Sequence, residues 1–294
     1  MEIIPEYKKL ELEYAKFTGA KYAVSCNTGT AALHLALLAI GIKSGDEVIM
    51  PDFTMAACGF AVSYCGATPV FVDCDDTLCI DWKLIEKKIT KKTKAIMVVH
   101  IYGRLCNMKE ILKIAKKHKL KVIEDACEAQ GAVYQSKADI TCYSFYENKI
   151  IHAEEGGMCT TDNKKYADTM NYYKNMCFNL EHNYYHEHIG YNYRMPNSQA
   201  KLALESLNNI ADNLMMRRDW EENLNQLNKE HKWGDEMPKR DVVWVYDYLG
   251  EPLKDVTTRP FFKPLSSFPM YKQYNKNDTP KAHHYSKIGH YIKI

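Results

Sequence analysis

No apolar run in this chain approaches the roughly 18 residues that a membrane-spanning helix needs, so no bilayer partner is expected. Charge of one sign is scarce as well: 39 Lys and Arg face 37 Asp and Glu, a balance of +2. Binding to nucleic acid or an anionic surface needs a basic excess on one face. The local run "KKITKKTK" (87–94) lies between a helix-like stretch and an apolar run and reads as a solvated face. The ten cysteines contain no C-x-x-C pair, which argues against a zinc ribbon or a thioredoxin-type motif. They fall between Cys26 and Cys177, mostly inside apolar runs, as free thiols of a reducing, cytoplasmic compartment would. The opening stretch "MEIIPEYKKLELEYAK" is too charged for a secretory leader. No internal repeat is visible.

What is present is 294 residues, 46% hydrophobic and 26% charged, long enough for a large domain with a smaller companion. Over the first 160 or so residues, short apolar runs alternate with helical patterns. "YAVSC" (22–26) leads into "GTAALHLALLAIGI", where Leu33, Ala36, Leu37 and Ile40 share a helical face. "DEVIMP", "TPVFVDCD", "AIMVVHIYG", "KVIEDAC" and "DITCYSFY" continue the series of strands. Continuous apolar strands between amphipathic helices predict an α/β fold with a mostly parallel sheet covered on both faces. Residues 163–228 read as polar helices interrupted by a loop, and "DVVWVYDYLG" and "VTTRPFFKP" as strands of a smaller C-terminal unit. The last 24 residues, rich in tyrosine, show little periodicity.

In parallel sheets ligands bind beyond the carboxyl ends of the strands. Three such ends carry suggestive residues. Asn27-Thr28-Gly29-Thr30 passes from a strand into a helix, where exposed N–H groups and the helix dipole suit a phosphate. Glu124, Asp125 and Glu128 follow "VI", and a carboxylate there can pair with a protonated ring nitrogen. Lys149 follows "CYSFYEN"; burial disfavours the ammonium, and a neutral amine forms a Schiff base with an aldehyde. Each alone has an ordinary reading: Thr28 as an N-cap, Asp125 as a turn cap, Lys149 as a solvated strand end. Together they match what pyridoxal phosphate requires, namely an anchored phosphate, a protonated pyridine nitrogen and an amine for the aldehyde.

At this point the sequence resembles the DegT/DnrJ/EryC1/StrS sugar aminotransferases of the fold type I pyridoxal-phosphate superfamily. The resemblance is carried in order by "NTGTAALHLAL", "GDEVIMPDFT", "TPVFVDCD", "HIYG", "VIEDACEAQGA", "SFYENKIIHAEEGGM", "GYNYRMPNSQAKLALESL" and "TRPFFKPL". It implies a large cofactor domain over 1–205, a small α+β domain over 206–294, and a homodimer with shared active sites. It also implies that Lys149 holds the cofactor aldehyde, that Asp125 pairs with the pyridine nitrogen, and that Gly29, Thr30 and Ser144 bind the phosphate. Glu128, where relatives carry Gln, His or Glu, would lie near the ring hydroxyl and the substrate. Asn192 would reach the phosphate in the neighbouring subunit. Relatives that deoxygenate at C3 carry histidine in place of this lysine, so Lys149 argues for amine transfer.

The implied reaction moves an amino group from glutamate to a nucleotide-linked 4-keto-6-deoxy sugar, as in perosamine or viosamine formation. A 3-amino transfer and a silent binding or regulatory protein are the alternatives. The chain departs from the pattern at Met55, where relatives stack an aromatic on the cofactor. It also lacks an N-terminal arm and has an abbreviated C-terminal domain, with Arg259 and Phe261 as candidate substrate contacts. His182 and His186 have the i,i+4 spacing of a helical metal pair, but they sit in an expected surface loop, and no metal is expected.

Overall fold

The computed structural model describes residues 4–134, 136–178, 184–254 and 256–293. Its centre is a seven-stranded sheet of β1 (Tyr22–Cys26), β2 (Glu47–Pro51), β3 (Thr68–Val72), β4 (Thr93–Val99), β5 (Lys121–Asp125), β6 (Ile140–Ser144) and β7 (Gly157–Thr161). The order is β1-β7-β6-β5-β4-β2-β3. Strands β3, β2, β4, β5 and β6 run parallel, while β7 is antiparallel to both β6 and β1. The expected parallel core is therefore present, and the antiparallel β7 joins it to the edge strand β1. That strand, "GMCTT", carries no strand signal in the sequence because a glycine precedes it, a second begins it and a threonine pair ends it.

Helices cover both faces. α1 (Glu6–Thr18) packs on β1, and α2 (Gly29–Ala39) lies across β5, β6 and β7. α2 is buried along nearly its whole length, which explains why its apolar residues are not confined to one stripe. α3 (Ala56–Tyr64), the short α4 (Trp82–Ile85), α5 (Met108–His118), α6 (Lys164–Lys174) and α7 (Asn197–Asn208) follow. α5 shows why its sequence stops where it does. Asn107 caps the Glu110 N–H, and Lys116, Lys117 and His118 crowd the negative end of the helix.

α8 (Ile210–His231) leads to a second sheet, ordered β10-β11-β9-β8 and antiparallel throughout: β8 (Asp235–Glu236), β9 (Val245–Leu249), β10 (Thr258–Pro260) and β11 (Gly289–Lys293). α9 (Pro280–Ile288) precedes β11. The tyrosine-rich tail thus holds a helix and a strand where no periodicity was visible. Val242, Trp244, Phe261, Leu265 and Tyr291 join the same apolar core as the large sheet. Polar ties reinforce the contact. Arg104 donates to both Asp247 oxygens at 2.8 and 3.1 Å, and Arg240 donates to Asp247 at 2.7 Å. Asp52, fully buried, accepts from the Ser266 N–H and hydroxyl and from Thr279. Breaking such buried pairs from one side costs roughly 3–5 kcal/mol. No helix among the described residues is long and apolar enough to cross a membrane.

Topology alone brings the chemistry together. In register, Val99 lies opposite Asp125, Ser144 opposite Gly157, and Gly157 opposite Cys26. The segments that follow β1, β4, β5 and β6 therefore emerge along one edge of the sheet.

Candidate active site

The first wall of the site is the start of α2. The Thr28 hydroxyl caps the Ala31 N–H at 3.0 Å, and the N–H groups of Gly29 and Thr30 have no intrahelical acceptor. Ser144 closes against them. A Cβ on Gly29 would stand 2.7 Å from Ser144 Cβ, so only glycine lets the helix start meet the end of β6. A Cβ on Gly157 would collide with the Thr28 carbonyl oxygen. The structure thus brings Gly29, Thr30 and Ser144 together in a seat suited to a phosphate.

Asp125 ends β5 and is buried. One oxygen accepts the Cys127 N–H at 2.9 Å and the other the Cys58 thiol at 3.2 Å. Burial and the neighbouring Asp125 push the Cys58 thiol far up, so it stays protonated and serves as a donor. Nothing in the sequence flags Cys58 for that task.

Glu128 is buried, and its carboxyl is raised to about 7. Burial is the main cause and Asp125 adds to it, while Lys149 and a hydrogen bond from the Tyr102 N–H oppose it. That N–H lies 2.8 Å from Glu128 Oε2. Tyr102 presents it from a left-handed conformation, φ 50° and ψ 35°, rare for a non-glycine residue and held here by the surrounding core. Next to it Gly103 has φ 82°, and a Cβ there would collide with the Val242 carbonyl oxygen. "HIYG" is therefore a shaped turn, though only its glycine is a visible signal.

Lys149 departs from the sequence expectation in one respect. β6 ends at Ser144, so the lysine stands five residues into the β6–β7 connection rather than at a strand mouth. It is nonetheless buried, 9% exposed. Its Nζ is 3.9 Å from Glu128 Oε1 and 3.7 Å from the centre of the Trp244 ring. The loop is fixed from several directions. Gln130 donates to the Ser144 carbonyl at 2.9 Å and accepts the Ile151 N–H at 2.7 Å. Trp244 donates its indole N–H to the Asn148 carbonyl at 2.9 Å. These supports carry no sequence signature, because a glutamine or tryptophan can serve anywhere.

Beneath the site lies a buried pair, His100 Nε2 and Glu124 Oε1, 2.7 Å apart. Burial works against both charges, yet each partner holds the other ionised: His100 is raised and Glu124 lowered. Ser136 and Thr141 add donors to Glu124. Glu124 is thus part of the foundation rather than of the reacting set.

The remaining expected residues are scattered around this centre. Met55 stands just ahead of α3 and is 53% exposed, with no burial that would fix its side chain. Asn192 is exposed, and its carbonyl accepts from Asn27 at 3.5 Å, which ties that stretch to the residue before the seat. Arg259 is exposed on β10. Phe261 contradicts its assignment as a substrate contact. It is 2% exposed and packs edge-on to Phe53 at 5.8 Å and against Tyr102 at 5.1 Å, so it belongs to the core. His182 lies outside the described residues. His186 hydrogen-bonds the Met176 carbonyl at 2.8 Å, and no metal-binding cluster occurs among the described residues.

Comparison with known proteins bears on this geometry. The DegT/DnrJ/EryC1/StrS aminotransferase family profile matches residues 2–291. GDP-perosamine synthase of Caulobacter vibrioides is 40% identical over 92% of this chain and 80% of its own. A UDP-N-acetyl-3-dehydro-alpha-D-glucosamine 3-aminotransferase of Acidithiobacillus ferrooxidans is 40% identical over 69% of this chain and 57% of its own. Among solved structures, S. venezuelae DesV superposes with a TM-score of 0.89 at 28% identity, covering 99% of this chain and 84% of that one. Bacillus subtilis NtdA with bound cofactor PMP gives 0.87 at 28% identity, covering 99% and 73%. The chain belongs to the DegT/DnrJ/EryC1/StrS aminotransferase family.

Proposed function

We propose that this chain is a pyridoxal-phosphate-dependent aminotransferase that moves an amino group from glutamate to a nucleotide-linked 4-keto-6-deoxy sugar, giving a 4-amino-4,6-dideoxy sugar nucleotide. The observation that carries the reading is the convergence of Lys149, Asp125, Glu128 and the Gly29–Ser144 seat at one sheet edge. The residues fit the cofactor: a helix start free of side chain for a phosphate, a doubly hydrogen-bonded carboxylate for a pyridine nitrogen, and a buried amine. When bound, the cofactor supplies an electron-withdrawing ring that stabilises negative charge at the α-carbon of the amino donor.

The chain's residues divide the remaining work. Gly29, Thr30 and Ser144 anchor the phosphate through backbone N–H groups and a hydroxyl. Asp125 keeps the ring nitrogen protonated, and Cys58 and Cys127 keep the carboxylate aimed. Lys149 would hold the aldehyde and supply the amine that takes a proton from the donor's α-carbon. Glu128, titrating near neutrality beside that amine, holds or releases a proton as the lysine changes charge. Met55 would offer its polarizable sulfur to the ring in place of an aromatic. Asn192 reaches the phosphate of a second copy in a homodimer.

Similarity to GDP-perosamine synthase over 92% of the chain favours the 4-amino product. The 3-aminotransferase relative keeps the 3-keto substrate as a second reading. The decisive experiment is the visible spectrum of protein with added pyridoxal phosphate, before and after glutamate. A lysine-bound cofactor band, lost in Lys149→Ala and bleached by glutamate, supports the reading. GDP-, UDP- and dTDP-linked keto sugars then identify the acceptor. A protein that binds no cofactor overturns it.

A further inference from the structure

We propose that Trp244 is a positioning residue for Lys149: its indole face is the seat on which the lysine amine rests whenever it is not joined to the cofactor. The inference rests on the cofactor assignment above and adds to it a residue contributed by the C-terminal part of the chain.

The contact is specific. Lys149 Nζ stands 3.7 Å from the Trp244 ring centre, well inside cation–π range. The nearer Glu128 oxygen is 3.9 Å away, beyond hydrogen-bond distance. The amine therefore rests on the ring and reaches the carboxylate only as a long ion pair, not as a hydrogen bond.

The seat is also rigid. Trp244 is 4% exposed and is flanked by Tyr102 and Tyr291, with ring centres 6.0 and 6.3 Å away. Its indole N–H is tied to the Asn148 carbonyl, one residue before the lysine, at 2.9 Å. Its own carbonyl accepts from Arg217 at 2.7 Å, and the other Arg217 nitrogen reaches the Asn148 and Lys149 carbonyls at 3.5 Å. Arg217 is 6% exposed, and among the described residues no carboxylate forms an ion pair with it. One buried guanidinium thus joins α8, the Trp244 backbone and the lysine backbone. The ring is held to the loop that carries the lysine, while the lysine's four-carbon stem stays free to swing.

The chemistry gives the arrangement a purpose. In an amine-transferring site the lysine must leave the cofactor and return in every cycle. Left to Asp125 or Glu128, a released ammonium would settle into a buried salt bridge and be slow to leave. A π face holds the cation more loosely, keeping the amine within reach without fixing it. It also leaves Glu128 free to exchange a proton.

The test compares wild type with Trp244→Leu and Trp244→Phe, each prepared free of cofactor. Pyridoxal phosphate is mixed in by stopped flow and the lysine-bound band followed. Pyridoxamine phosphate, which has no aldehyde for Lys149, reports the integrity of the pocket by titration. Trp244→Leu is expected to slow band formation about tenfold and Trp244→Phe only about threefold, with pyridoxamine phosphate affinity within about twofold throughout. Independently of cofactor, Lys149→Met should change the tryptophan emission of wild type and leave that of Trp244→Phe unchanged. An unchanged rate in Trp244→Leu overturns the positioning role. A parallel loss of both ligands also overturns it, because Trp244 would then only fill space. No band in wild type overturns the cofactor assignment and the role with it. Should the leucine variant not fold, the phenylalanine variant and the emission comparison still decide.

Discussion

Replacing Glu128 with glutamine should make the cofactor-free protein more stable at alkaline pH. The carboxyl titrates near 7 in the folded chain against an ordinary 4.5, because burial outweighs the help it receives from Lys149 and the Tyr102 N–H. Its folded value is raised, so between these limits the folded state binds a proton that the unfolded state has lost. The favourable contribution is complete below about pH 4.5 and disappears as pH rises through 7. A displacement of this size corresponds to roughly 3 kcal/mol. Glutamine keeps the shape and an oxygen to accept the Tyr102 N–H but cannot ionise. Urea unfolding of both proteins at pH 5, 6.5 and 8 should give similar stabilities at pH 5 and a gap of about 2–3 kcal/mol in favour of Glu128→Gln at pH 8. His34, His100 and Glu124 titrate in both proteins, so their contributions cancel in the difference. In transamination assays the variant should retain turnover and lose the limb of the pH profile near 7. Parallel pH dependences of stability would refute the account of Glu128 as a carboxyl forced toward its neutral form.

Three further outcomes follow from the supports of the site. Gly29→Ala places a Cβ 2.7 Å from Ser144 Cβ, which is anchored at the end of β6, and should cost roughly 1–3 kcal/mol with a clear loss of cofactor affinity. Adding Ser144→Gly should recover the stability in thermal melts but not the affinity, since the hydroxyl is gone. Gln130→Leu leaves the Ser144 carbonyl and the Ile151 N–H without their partner, a loss of about 1–3 kcal/mol for each buried group; hydrogen exchange at Ile151 should accelerate well beyond that at β5. Cys58→Val removes the donor to Asp125 at nearly constant volume and should weaken cofactor binding in a spectral titration, while Cys58→Ser restores it.

The strands were legible where burial on both faces forces continuous apolar runs. β2, β3 and β5 lie within "DEVIMP", "TPVFVDCD" and "KVIEDAC", and β4 overlaps "AIMVVHIYG" but begins two residues before it, at Thr93. β7 was not, although it is buried throughout: "GMCTT" is too polar to be told from a loop until its partners on either side are known. The tail was illegible for another reason. α9 is held by polar ties such as the Lys281 and Ala282 N–H groups on Asp73, and β11 by pairing with β9 and β10, rather than by a periodicity of their own. Tertiary contacts of this kind leave no pattern in a single segment.

The site divides along the same line. Lys149, Asp125 and Gly29 stand out in the sequence because the proposed chemistry, or sterics, permits few substitutes: an amine for an aldehyde, a carboxylate for a ring nitrogen, and no Cβ where a helix start meets a strand end. Gln130, Cys58 and Arg217 could not, since each supplies only a donor or acceptor at a point in space. The aromatic residues show the sharpest limit. "TRPFF" suggested Phe261 as a ligand contact, and "DVVWVYDY" suggested only a strand, yet Phe261 is core and Trp244 faces the lysine. Both rings are buried and both lie against Tyr102. Hydrophobicity cannot separate them, because a π face that fills a core and one that seats a cation are the same surface. What distinguishes Trp244 is the charge placed over it, and that depends on a lysine 95 residues earlier in the chain.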